Sequence, residues 1–192
     1  RDVNKPSGML SVTGKTNRKS VISILQTRCK EGEMPFVVHR LDMDTSGLMV
    51  VAKHKTAHYR LQKQFRDREI HKTYVAVLEG ELLPIGVEGR IELPLTPDLM
   101  HRPFQKVDKE HGKTAVTLYH VVDKHVVELH PLTGRTHQLR VHCAHAEGLN
   151  RPIKGDNLYG RRADRLYLHA ARIAFTHPGS GKEMVLEAPV LW

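Results

Sequence analysis

Cysteine is scarce in this chain of 192 residues: only Cys29 and Cys143 occur, far apart and without a CxxC pair. A disulfide framework is therefore not expected, and the two thiols are read as free in a reducing compartment. No apolar run is long enough to span a bilayer. Residues 1–10 are polar and broken by Pro6 and Gly8, so a secretory signal is not expected either. No internal repeat or low-complexity segment occurs. The chain opens on Arg1 without an initiator methionine, and the expectation is a trimmed start. Acidic residues are in deficit, with 21 Asp and Glu against 30 Lys and Arg, giving +9 with histidine neutral and a pI near 9.7. Such a balance suits a polyanionic partner, although its sign alone does not choose among RNA, DNA and anionic lipid.

With 40% hydrophobic and 27% charged residues, the composition is that of an ordinary globular protein, and the length suits one domain with a sizeable core better than two small ones. Ser20 is placed to cap a helix carrying Val21, Ile24 and Leu25. His54–Glu69 spaces Ala57, Leu61 and Phe65 at i, i+4 and i+8, one face of an amphipathic surface helix. Strands are expected at Ile70–Gly80, Val87–Leu93, Thr114–Val122 and His125–His130, with a turn at Asp123–Lys124. A Pro-broken loop runs up to Asp108. Thr136 is read as the cap of a helix reaching about Glu147, with Gly148 as its stop. Leu166–Thr176 and Met184–Leu186 form a closing hairpin around Pro178-Gly179-Ser180-Gly181. Strands outnumber helices without strict alternation, which points to an α+β fold on a mixed, largely antiparallel sheet.

The most informative stretch is Val37–Lys53. Two short apolar segments, Val37–Val38 and Leu48–Ala52, read as buried strand and flank a polar loop with His39, Arg40, Asp42, Asp44, Thr45, Ser46 and Gly47. Loops anchored in this way often carry binding and catalytic groups. A carboxylate nucleophile has to stay ionised, and a nearby cation favours that form. On an extended segment Arg40 and Asp42 point the same way, so Arg40 either serves Asp42 or reaches toward a substrate. The same spacing also describes an exposed ion pair in a turn, with Asp44 as an Asx-type turn residue.

His39–Gly47 resembles in full the HRLDxxTSG signature of the RluA family of pseudouridine synthases. Further blocks follow in the family's order: Asn4–Gly8 (NKPSG), Lys72-Thr73-Tyr74-Val75-Ala76 (KxYxA) and Pro131–His142 (PxTGRxHQLRVH). Arg151–Gly160 resembles HPIxGDxxYG, with Arg151 where histidine is usual. The resemblance spans Asn4 to about Pro189 and implies a single pseudouridine synthase catalytic domain over residues 1–192. It implies that Asp42 is the nucleophile, Arg40 the wedge replacing a flipped uridine, Tyr74 the platform stacking on uracil, and Arg140 the carboxylate's partner. In this chemistry uracil leaves C1′, rotates and is rejoined through C5, without cofactor or metal. Whether the aspartate attacks the sugar or acts first as a base at C2′ stays open.

Flipping a base out of its stack costs about a few kcal/mol, which an inserted arginine partly offsets. Lys5, Lys53, Arg135 and Lys154 are weaker candidates for RNA phosphate contacts, Arg135 because it precedes the expected helix start. The implied partner is structured RNA and not DNA or a membrane, with a monomer in the cytoplasm expected. Gln62–Glu69 and His101-Arg102-Pro103 look most like the family member that modifies large-subunit ribosomal RNA and the anticodon stem-loop of certain tRNAs.

Three rival readings are weighed against this resemblance. Fourteen histidines invite a metal site at His137, His142, Cys143 and His145, but no compact set has the usual zinc spacing, and no metal is expected. Asp42-Met43-Asp44-Thr45 is similar to the DxD start of Mg²⁺-dependent phosphatases, without their βα alternation. A noncatalytic RNA-binding protein would use the same basic surface, yet Asp42, Tyr74 and Arg140 are all intact.

Overall fold

The computed structural model describes residues 1–16, 18–81 and 84–192. The chain forms two compact units, one made of residues 1–72 and 169–192 and the other of residues 73–168.

In the first unit the organising strand is β3 (Ser46–Ala52), all seven of whose residues are buried. Its run of Leu, Met and Val is what a strand covered on both faces requires. It pairs antiparallel with β1 (Asp2–Lys5) and β2 (Phe36–Val37), and its first residues pair in parallel with β10 (Leu168–Thr176). β10 continues into an antiparallel hairpin with β11 (Glu183–Glu187), the closing hairpin read from the sequence. Helix α1 (Val21–Gln26) starts at Ser20, whose side chain accepts from the Ser23 N–H while Ser23 Oγ accepts from the Ser20 N–H. Helix α2 (Lys55–Arg66) sets Ala57 and Leu61 into a core with Leu48, Val50, Ile173 and Phe175. Gln64 ties the helix to β10 through both amide atoms: it donates to the Thr176 carbonyl at 2.8 Å and accepts from the Thr176 N–H at 2.9 Å.

Gly47 shows why the loop motif ends in glycine. Its φ is +115°, and a Cβ there would fall on the backbone of Ala170 where β3 meets β10.

The second unit is an antiparallel sheet in the order β4 (His71–Val77), β9 (Val126–Pro131), β8 (Val116–Asp123), β5 (Glu88–Glu92). The stretch read as a Pro-broken loop contains a small separate hairpin, β6 (Leu95–Pro97) with β7 (Gln105–Val107). These three-residue strands lack a run long enough to show alternation. Helix α3 (Gln138–Ala144) is shorter than Thr136–Glu147: its first flanking residue is His137, in the left-handed region at φ 54°, and Thr136 does not cap it. The class is α+β with mixed, mostly antiparallel strands, as expected. Among the described residues no helix is long and apolar enough to cross a membrane.

Candidate active site

The backbone of the Asp42 loop is held by a set of hydrogen bonds from residues 5–11. Lys5 is fully buried, and its ammonium donates to the carbonyls of Pro6 (3.0 Å), Met9 (2.8 Å) and Met43 (2.8 Å). The Gly8 N–H adds a second bond to the Met43 carbonyl at 2.9 Å, and the Ser7 hydroxyl donates to Asp44 at 2.7 Å. Upstream, Ser11 Oγ donates to the Leu41 carbonyl at 2.6 Å and accepts from the Leu41 N–H at 3.1 Å. Within the loop, the Thr45 N–H donates to the Asp42 carbonyl at 3.1 Å. The Asn4–Gly8 block thus acts as a brace for the loop. Lys5 is accordingly corrected: an ammonium with no exposed surface and three carbonyl acceptors is structural and does not reach RNA phosphate. Arg40 is exposed and Asp42 half-buried.

The downstream end is pinned by a buried pair. His169 Nε2 faces the Ala188 carbonyl at 2.9 Å and so carries the proton, which leaves Nδ1 to accept from the Ser46 hydroxyl at 2.8 Å.

His39 faces inward, unlike its neighbour Arg40. Its ring stacks on Phe65 with centroids 4.9 Å apart, and Nε2 accepts from the Val50 N–H at 2.9 Å. Desolvation, with a smaller contribution from the Lys72 charge, lowers its pKa from 6.5 to about 3. The unfolded chain therefore binds a proton between those two values that the folded chain does not. The His39 contribution to stability is complete above pH 6.5 and is lost as the pH falls toward 3, by at most about 1.4 kcal/mol per unit. Urea unfolding of wild type and His39→Gln at pH 7 and pH 5 checks this. The wild type should lose more stability on acidification, and equal losses would refute the assignment.

In the second unit, Tyr74 is buried on β4 opposite Leu129, and Ala76 is buried on the same face. Arg140 lies on α3 and forms a two-pronged ion pair with Asp156: Nε to Oδ2 at 2.9 Å and Nη2 to Oδ1 at 2.7 Å. Asp156 has no exposed surface and also accepts from the Leu158 and Tyr159 N–H groups at 3.0 and 3.1 Å. The guanidinium sits 5.4 Å from the Tyr159 ring centre. That tyrosine's hydroxyl accepts from the Gln105 N–H and bonds to His137 Nδ1, both at 2.8 Å.

A directed chain fixes the rest of the Pro131–His142 block. The Val116 N–H donates to Thr133 Oγ1, whose hydroxyl donates to Gln138 Oε1. Gln138 Nε2 donates to Thr117 Oγ1, and that hydroxyl donates to His142 Nδ1 at 2.8 Å. His142 Nε2 ends the chain on the Leu93 carbonyl at 3.0 Å. Both ring nitrogens of His142 are thus committed, and burial pushes the Cys143 thiol up. Among the described residues no group of three His, Cys, Asp or Glu could hold a metal.

The other cation candidates divide. Lys53 is held by Glu33 at 2.6 Å, which offsets its charge. The Arg135 N–H is taken by Gln138 Oε1 at 3.1 Å, so the backbone-phosphate contact expected there is not available, and its Nε donates to the Thr114 carbonyl. Its guanidinium remains exposed. Lys154 is exposed, with its ammonium 4.5 Å from the Tyr167 ring centre. The sequence reading missed Lys5 as a brace, Asp156, Ser46 with His169, and the Gln138–His142 chain. The signal available for several was a polar side chain set among apolar neighbours, as in Leu168-His169-Ala170.

Residues 3–145 match the family model described as RNA pseudouridylate synthase. The chain belongs to the RNA pseudouridine synthases, in the RluA family, and is an isomerase of RNA. "Dual-specificity RNA pseudouridine synthase RluA" of Escherichia coli K12 is 45% identical to it, over 97% of this chain and 87% of that protein. The Yersinia pestis protein of the same name is also 45% identical, over 95% and 90%. The solved structure of human RNA Pseudouridylate Synthase Domain Containing 1 has a TM-score of 0.78 at 28% identity, covering 98% of this chain and 79% of its own. Human RNA Pseudouridylate Synthase Domain Containing 4 has a TM-score of 0.77 at 24% identity, over 99% and 85%, and supports the fold alone.

Proposed function

We propose that Asp42 is the nucleophile of uridine isomerisation, Arg40 the base-flipping wedge, Tyr74 the stacking platform and Arg140 the carboxylate partner, the roles that the family motifs give these positions. The observation that carries the reading is the Asp42 loop. Its backbone is fixed from Ser7, Gly8 and Ser11 and by the Lys5 ammonium, while Arg40 is left exposed. A nucleophile has to be held within a fraction of an ångström of its target, and a loop braced along its backbone helps to supply that. Arg135 and Lys154 are the surviving candidates for RNA backbone contacts. The two units work as one catalytic domain, as a cytoplasmic monomer.

We further propose that the chain shares the dual specificity in its RluA relatives' names, with a large-subunit ribosomal RNA stem-loop and a tRNA anticodon stem-loop, the RNAs implied by the family resemblance, as the two substrates. Fidelity then comes from folded RNA shape and a few splayed bases. The test is tritium release from [5-³H]uridine-labelled transcripts of both stem-loops, in EDTA. Release from both supports the reading, release from one removes the dual specificity, and release from neither removes the substrate assignment.

A further inference from the structure

One half-buried cation of the first unit has no carboxylate or carbonyl partner among the described residues. Lys72, the lysine of the KxYxA block, is half-buried at the start of β4. Among the described residues no carboxylate or carbonyl lies within bonding distance of its ammonium. The ammonium lies over the Phe65 ring, 6.0 Å from the ring centre. The acid at the end of α2 is used elsewhere, Asp67 binding Lys63 at 2.8 Å. Burial holds the Lys72 ammonium below the ordinary lysine range. A cation set out of water without a counter-ion lowers stability, and such a group persists where a ligand supplies the missing charge.

Its position says which ligand. Phe65 stacks on the His39 ring and has the Lys72 ammonium over its own ring, and His39 directly precedes the exposed Arg40. Alternation along β4 places Lys72 on the strand face that carries Tyr74. We propose that Lys72 is a substrate-binding residue whose ammonium receives a backbone phosphate of the RNA beside the flipped uridine. The assignment rests on the pseudouridine synthase reading and adds to it a fixed anion site for the strand that Arg40 enters. A lysine suits the task as a compact point charge, and the ion released from the phosphate contributes entropy. His39 accepts a bond from Val50 and remains neutral beside it, so it does not compete for the phosphate.

The experiment compares wild type, Lys72→Met and Lys72→Arg in three readouts: thermal unfolding, salt dependence of binding to the labelled stem-loop, and tritium release. Lys72→Met should melt at the same temperature as wild type or higher, because a desolvated charge is removed. Its RNA affinity should fall about tenfold at low salt, and the slope of log K against log salt should shrink by about 0.7 to 0.9, the mark of one lost phosphate contact. Lys72→Arg should restore the slope. A lower melting temperature with an unchanged slope would show a structural lysine and overturn the proposal while leaving the enzyme reading intact. A wild type that neither binds nor modifies the RNA would overturn both.

Discussion

Asp42→Asn should abolish pseudouridine formation, with a fall of more than about a thousandfold in tritium release, while RNA affinity stays within a few-fold of wild type. The substitution keeps the shape of the side chain and removes the negative charge and the nucleophilic oxygen on which the proposed step depends. It should cost little structure. The loop is pinned by bonds that run through the Asp42 carbonyl, the Met43 and Asp44 carbonyls and both backbone groups of Leu41, all of which the substitution keeps. Binding measured on the same preparation separates chemistry from recognition. Turnover within tenfold of wild type would refute the nucleophile assignment. Loss of binding together with turnover would refute the claim that the loop is backbone-held.

Asp156→Asn should destabilise the protein by about 3 kcal/mol, a fall in melting temperature of about 6 to 12 °C for a chain of this size. The Arg140 and Asp156 side chains are 5% and 0% exposed, so the ion pair that the substitution breaks is a desolvated one. Asparagine still offers an oxygen to the Leu158 and Tyr159 N–H groups, and the loss reports the ion pair and not the turn. Replacing both partners by Met and Leu should recover much of the stability, since removing a whole buried pair costs less than breaking it. Additive single and double effects in that cycle would show that the two side chains do not interact.

Much of this was legible in the residues. Val and Leu around the HRLD loop announced the buried β3, Ser20 announced α1, and the i, i+4, i+8 spacing of Ala57, Leu61 and Phe65 announced α2. The β6–β7 hairpin was not legible, because three-residue strands carry too little pattern to separate them from a loop. The start of α3 was misplaced because Thr136 has the chemistry of a cap, whereas His137 takes a left-handed conformation and the polar contacts are made by Gln138. Lys5 was misread for a similar reason. Whether a lysine meets solvent or three carbonyls depends on residues 38 positions away, such as Met43, and no local pattern reports that. Asp156 was visible in the GDxxYG block, yet its partner Arg140 could be identified only once both were placed.

The first unit is built from two pieces of chain separated by the whole of the second. Ser46 and His169 are 123 residues apart, and Ile173, Phe175 and Ala188 complete the core that Leu48, Val50 and Leu61 begin. During synthesis the Asp42 loop therefore leaves the ribosome long before the strand that seals it, whereas the contiguous residues 73–168 emerge in a single run. The contacts that join the end of this loop to β10 are of high sequence separation, which are the slow contacts of folding. A nascent chain stalled before β10 would carry the HRLD signature and the residues 5–11 that brace it, but not the strand against which Ser46 and Gly47 pack.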